Sequence, residues 1–241
     1  AGTVVRLAPA TASAAAWARW LQSLAAGAAL ADETAHWSAV AAAAQTAVAL
    51  PRDLPGDDNH VADAGVVSLS LSPTETETLL RQTLAGYGCQ INDLLLAALA
   101  MVLRDWTGRA RTVIHLEGHG RESGDAAIDL SRSVGWFTSL FPVVLDLTDR
   151  SGPIATVDAV RGQLAAIPRR GLGYGVGRWL ASPPRWDVPA AEVCFNYLGQ
   201  FDGLVGEGSA FGAAPEPVGA HCSPRGGRTH LIDVNALIVD G

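Results

Sequence analysis

The sequence predicts an α/β layered fold, and three observations carry that prediction. Five short runs rich in β-branched or alternating apolar residues (VVSLSLS, RTVIHL, VVLDL, AEVCFNYL and HLIDVNALIV) have strand character. Segments with a helical spacing of apolar residues interleave with them, as expected of a sheet flanked by helices. Hydrophobic residues make up 49% of the 241 positions, enough for the core of one large domain or of two lobes.

Residues 13–28 form an amphipathic helix capped by Ser13, because Trp17, Trp20, Leu21 and Leu24 recur at helical spacing. A second helix covers residues 33–46. The stretch LPRDLPGDDNHVADAG, residues 50–65, combines Pro, Gly and Asp with little periodicity and reads as a connector. VVSLSLS, residues 66–72, alternates like a strand. Ser72 and Glu75 then make an S-x-x-E capping box, with Pro73 at the first helical position, where its missing N–H costs nothing. NDLLLAALAMVLRDWTG is apolar nearly all round, so it is expected to be a buried helix that starts near Asn92 and stops at Gly108. RTVIHL and VVLDL (143–147) are strands, and TVDAVRGQLAAI (156–167) is a helix. A Gly-rich stretch leads into a further helix around VGRWLAS. AEVCFNYL (191–198) and HLIDVNALIV (230–239) complete the strands.

Net charge is −7, from 17 basic and 24 acidic residues, and every basic residue is Arg. An acidic chain without a basic run argues against a nucleic-acid partner. No apolar run reaches membrane-spanning length, and the opening AGTVVRLAPATAS lacks the basic and apolar regions of a signal peptide. Cys89, Cys194 and Cys222 are scattered, with no CxxC pair, which favours a reducing, cytoplasmic compartment.

The densest polar chemistry is IHLEGHGRE, residues 114–122, where an alternating strand runs into a Glu-Gly-His-Gly turn. His115 and His119 flank Glu117, but the order H-L-E-G-H on a strand is not the helical HExxH of a zinc site, and no third ligand is evident. No metal site is expected. GLGYGVG, residues 171–177, fails the G-x-G-x-x-G spacing of a dinucleotide loop and reads as a tight loop needing unusual backbone angles. No G-x-S-x-G elbow exists for a serine hydrolase. Glu117 differs, because a carboxylate at a strand end before Gly can project into a cleft, and burial there would make it a useful base.

Several motifs in series carry a resemblance. INDLLLAALA (91–100), EGHGRE (117–122), SRSVGWFTSLFP (131–142), GLGYGVG (171–177) and CFNYLGQFD (194–202) resemble, in this order, the signature series of epimerization domains of nonribosomal peptide synthetases. WARWLQSLAAGAALADETAHW is similar to the Trp-containing helix that precedes them. The resemblance implies a chloramphenicol-acetyltransferase-like lobe with a mixed sheet flanked by helices. It implies inversion of the α-carbon of an aminoacyl or peptidyl thioester, held on the phosphopantetheine arm of a peptidyl carrier protein. Neighbouring synthetase domains are the other partners, no membrane is involved, and the domain itself binds no cofactor. Thioester conjugation acidifies the α-C–H, so a base can remove the proton and an acid can return one to the opposite face.

Carried over by motif position, Glu117 is the acid/base carboxylate, and Asn196 and Tyr197 line the same site, with Tyr197 a hydrogen-bond donor or proton-transfer group. Gly135, Trp136 and Phe137 of VGWF shape the tunnel that receives the arm. His119 belongs with these substrate-side residues and is expected to hold the turn. Arg121 and Glu122 are expected to pair with each other or with neighbours, without chemistry. The family's HHxxxDG motif has no counterpart, since HVADAG at His60–Gly65 has the wrong spacing and reads as a surface loop. The resemblance therefore implies a fragment: residues 1–49 as the end of a first lobe, 50–65 as connector and 66–241 as most of a second lobe, inactive alone, with a missing first lobe and the last strand or strands absent. The rival readings are an amide-forming condensation domain on the same scaffold and a non-catalytic module that docks a carrier protein.

Overall fold

Ser13 opens helix α1 (Ala14–Ala26), its hydroxyl oxygen accepting from the Ala16 N–H at 3.1 Å. A 3-10 turn, Ala28–Glu33, leads into α2 (Thr34–Gln45). The computed structural model describes residues 8–47, 49–54, 56, 59–121, 128–201, 214 and 216–239. The capping box forms as the sequence requires: the Ser72 hydroxyl accepts from Glu75 N–H, and the Glu75 carboxylate accepts from Ser72 N–H at 2.8 Å. It starts α3 (Pro73–Glu77), which widens into a π turn at Thr78–Thr83 before α4 (Leu84–Tyr87). Helix α5 (Ile91–Thr107) ends at Gly108, whose φ of 67° supplies the left-handed cap.

The strands are β1 (Arg111–Gly118), β2 (Ser139–Asp146), β3 (Val193–Gln200) and β4 (Ile232–Ile238), and they form one sheet in the order β2-β1-β3-β4. β1, β3 and β4 run parallel. β2 joins the other side of β1, with Leu147 N–H donating to Ala110 C=O at one end and Gly118 beside Ser139 at the other, so it runs in the opposite sense. The sheet is therefore mixed, as the resemblance implied. Helix α6 (Pro153–Ala165) packs against α5, and Arg161 of α6 donates to the carbonyls of Tyr87 and Gly88 at 3.1 and 3.2 Å.

Three expectations are corrected. VVSLSLS forms no strand: Val67 is 98% exposed, and residues 66–72 join no sheet. Alternation gives a run its tendency, but a strand forms only against a partner edge. Helix α5 is not buried all round, because Val102 and Trp106 are exposed while Leu96, Ala97, Ala100 and Leu103 make its inner face. GLGYGVG is not a loop of unusual angles. Only Gly171 has a positive φ, of 83°, and the chain then winds through α7 (Leu172–Gly175) into a π turn at Val176–Leu180.

The chain divides into two compact units. One holds residues 46–116, 143–165 and 190–241, which include α3 to α6, β3, β4 and most of β1. The connector is fastened within it. Arg52 pairs with Glu192 at 2.7 Å, Asn59 Nδ2 donates to His230 C=O at 2.9 Å, and His60 bridges Gly227. HVADAG thus sits in a 3-10 turn, Val61–Asp63, held by the 224–227 backbone.

The other unit holds residues 1–45, 117–142 and 166–189. Trp17 of α1 packs with Leu130, Phe137 and Leu172, and Leu24 with Leu30 and Val176. Beside these lies the buried Glu33 carboxylate, only 3% exposed. It accepts the Trp37 indole N–H at 2.8 Å and pairs with the Arg169 guanidinium, which also donates to Ala29 C=O. A buried charge held this way is stable only while its partners remain. The glycines of GLGYGVG make room for it: a Cβ on Gly173 would overlap the Glu33 carboxylate, and one on Gly177 would overlap the Trp186 ring.

Gly173→Ala should lower the unfolding free energy by about 1–3 kcal/mol, the overpacking range, although alanine is the better helix former. In a Glu33→Ala background, itself destabilised by about 3 kcal/mol through the orphaned Arg169, the same change should be neutral or stabilising. Urea unfolding of the four variants of this cycle measures the reversal.

Candidate functional site

The end of β1 carries the polar run. Along β1, alternation puts Ile114 and Leu116 on the buried side, and His115 and Glu117 on the other. Glu117 is exposed among the described residues, so they do not supply the burial that would strengthen it as a base. After it the chain turns sharply. Gly120 has a φ of 65°, and a Cβ there would overlap the Phe137 carbonyl oxygen, so the turn needs glycine for both angle and space. His119 Nδ1 accepts the Arg121 N–H at 3.1 Å, closing the turn on itself.

Arg121 organises the segment beyond the turn. Its guanidinium donates to Leu130 C=O at 2.7 Å, Ser133 C=O at 2.9 Å and Gly135 C=O at 3.4 Å, and stacks 4.4 Å over the Phe137 ring. One planar fork thus holds the VGWF segment against the end of β1. The segment is fastened from its other side too, as Ala12 N–H donates to Asp129 C=O at 2.8 Å and the Ser133 hydroxyl donates to Ala12 C=O. Phe137 is core, packed edge-on to Trp17 at 6.2 Å, whereas Trp136 is 89% exposed. Gly135 is exposed as well. Glu122 lies outside the described residues, so the expected Arg121–Glu122 pair is not described; the partners found for Arg121 are carbonyls and a ring.

Asn196 and Tyr197 sit half-buried in β3. Being consecutive on a strand, they project to opposite sides of it. Asn196 shares a side with Cys194 and pairs in register with Asn235 of β4, and Tyr197 pairs with Ala236. Burial pushes the Tyr197 phenol up from its usual range, so it remains a protonated donor near neutral pH.

His115 also stands in a second group of polar side chains, which the sequence does not signal. His115 pairs in register with Cys194, and Cys194 with Asp233, so the three stand in one row across β1, β3 and β4. His230, just before β4, completes the group: its Nε2 lies 2.8 Å from His115 Nδ1 and its Nδ1 lies 3.2 Å from Asp233 Oδ1. Burial, with the neighbouring His230 adding to it, lowers the His115 pKa to about 4, which keeps the ring neutral in ordinary buffers. These partners lie far from His115 along the chain, and only strand pairing brings them to it. No local spacing could have signalled the group.

A family model described as "Condensation domain" matches residues 5–203. The chain is 44% identical over 230 residues to one of the linear gramicidin synthase subunits of Brevibacillus parabrevis, covering 92% of the chain but 3% of that relative. Among solved structures it is similar to the epimerization domain from the third module of tyrocidine synthetase B, at 36% identity with a TM-score of 0.87, over 98% of the chain and 53% of that domain. The first condensation domain of the CDA synthetase shares the fold at 18% identity with a TM-score of 0.54, over 81% of the chain and 40% of that structure. Among the described residues, no single helix is long and apolar enough to cross a membrane.

Arg121→Lys keeps the charge but cannot span three carbonyls and a ring. It should cost about 1.5–3 kcal/mol, the range for hydrogen bonds to a charged group. Limited proteolysis should then cut within residues 128–137 faster than in the unsubstituted protein, with cleavage elsewhere unchanged.

Proposed function

Because the chain belongs to the condensation-domain family, we propose that it is part of an epimerization unit of a nonribosomal peptide synthetase. On this reading it inverts the α-carbon of an aminoacyl or peptidyl thioester. A peptidyl carrier protein presents the substrate on its phosphopantetheine arm, and neighbouring synthetase domains supply and consume it. The observation that carries the reading is the likeness along 98% of the chain to an epimerization domain, well above the likeness to a condensation domain. The motif at the end of β1 and FNYLGQ in β3 support the same choice.

The chemistry follows from residue types. Glu117 exchanges the α-proton as general base or acid. The enolate-like intermediate needs a donor at the thioester oxygen, and the amide of Asn196 supplies one, with the protonated phenol of Tyr197, which projects to the other side of β3, as the alternative. His119 and Arg121 hold the turn that aims Glu117, while Gly135 and Trp136 border the path of the arm and the buried Phe137 anchors their segment. Inversion needs groups on both faces of the α-carbon. The sequence has no His-His pair and spans 53% of the epimerization domain it resembles, so we assign the second group to the remainder of the domain.

In the complete parent synthetase, Glu117→Gln should reduce inversion by at least about 100-fold, the lower range for loss of a general acid/base. Chiral analysis of the hydrolysed thioester and α-proton exchange with deuterated solvent both measure it, and carrier binding should not change. Undiminished inversion would remove Glu117 from the mechanism. Amide formation with retained configuration in the unsubstituted parent would instead support the condensation reading. The 241-residue chain alone should racemise no loaded carrier in the same assay.

A further inference from the structure

We propose that Cys194, His230 and Asp233 form a binding site for one zinc-class divalent cation, with His115 supporting His230 from the neighbouring strand. Among the described residues this is the group whose Cys, His and carboxylate atoms converge, all within 4.8 Å of one another. In tetrahedral zinc coordination the ligand atoms lie roughly 3.3–3.7 Å apart, given metal–ligand distances of about 2.0–2.3 Å. His230 Nδ1 and Asp233 Oδ1 stand 3.2 Å apart, close to that spacing.

The surroundings fit a ligand set held in advance. His230 coordinates through Nδ1 and donates its Nε2–H to His115 Nδ1 at 2.8 Å, the kind of partner that fixes the tautomer of a metal-bound imidazole. Asp233 keeps Oδ1 for the cation, because Arg228 holds Oδ2 at 2.8 Å. Asn59 Nδ2 donates to the carbonyls of Arg228 and His230, and Leu231 N–H to Glu192 C=O at 2.8 Å, which fixes the turn entering β4. Cys194 and His230 are buried and Asp233 is exposed, so a cation has an entry side and a dry interior side.

Chemistry selects the ion. A thiolate, an imidazole and a carboxylate suit zinc, whereas calcium and magnesium take oxygen ligands. On binding, the Cys194 thiol loses its proton to solvent and the thiolate forms the metal bond. Thiolate and carboxylate together neutralise the dication. Three protein ligands leave a fourth position for water. The bound ion would clip β4, the end strand of the described sheet, to β3. The inference stands independently of the inversion chemistry.

The test uses the whole 241-residue chain, stripped with a chelator and then titrated with zinc chloride alone. Calorimetry, and mass spectrometry of metal after gel filtration, should give one zinc per chain. Cobalt in place of zinc should give the visible bands of tetrahedral coordination and a near-ultraviolet thiolate-to-metal band. Cys194→Ser should abolish that band, Asp233→Asn should weaken zinc binding at least about tenfold, and His115→Asn should weaken it about 10–100-fold. Cys222→Ser, at an exposed cysteine, should change nothing. Circular dichroism checks the folding of each variant, and Asp233→Asn, at an exposed side chain, keeps the test decisive if Cys194→Ser unfolds. A folded chain that retains no zinc overturns the proposal. So does a cobalt complex without the thiolate band, or binding that survives Asp233→Asn unchanged.

Discussion

The register of β1, β3 and β4 is the constraint on which the polar side of this protein depends. Strands alternate their side chains with a period of two, so a slip of one residue would send every inward group outward. As built, the register sets Ile114 beside Val193 and Leu116 beside Phe195 on the buried side. The same choice aligns His115, Cys194 and Asp233 on the other side, and Asn196 with Asn235 farther along. The apolar residues dominate the register, because burying each is worth about 1.5–3 kcal/mol, against about 0.5–1.5 kcal/mol net for an ordinary hydrogen bond. The polar row is then fixed at no further conformational cost.

The turn after β1 depends on a different kind of force. No apolar side chain stands at Glu117, Gly118 or His119 to anchor it. Close approach and directed hydrogen bonds hold it instead. Gly120 lets the backbone pass against Phe137, and Arg121 donates to the Leu130 and Ser133 carbonyls of an irregular segment. Helix α7 follows the same logic around Glu33, where glycine admits a carboxylate rather than a turn. Both glycine-rich motifs are therefore packing devices, one at a strand end and one on a helix.

Local interactions are legible in the sequence, and distant ones are not. Caps and periodic helices depend on neighbours within four positions, and Ser13, Ser72 and Gly108 fall where their residue types require. The strand character of RTVIHL, VVLDL, AEVCFNYL and HLIDVNALIV is equally local. VVSLSLS has the same alternation and forms no strand, because pairing depends on a partner that its own residues do not encode. GLGYGVG is ambiguous for a related reason: glycine permits both unusual angles and close contacts, and only Glu33 and Trp186, elsewhere in the chain, reveal which is used. Arg121 gives no sign of its role because its partners are backbone carbonyls, which carry no sequence signal. The partners of His115 are hidden in the same way, and only the assembled sheet supplies them.

A carboxylate in water is a weak base toward a carbon acid, and Glu117 is exposed among the described residues. Its proposed role therefore requires that water be displaced from it when the substrate arrives. On the proposed reading, the arriving thioester arm displaces that water. Such a site needs no buried charge in its resting state, and so avoids the instability that an uncompensated buried carboxylate would impose. Glu33 shows the opposite solution. It is buried and permanently paired, so it serves packing. Glu117 stands instead at the end of β1, before a turn fixed by Gly120 and Arg121, and its side chain is exposed.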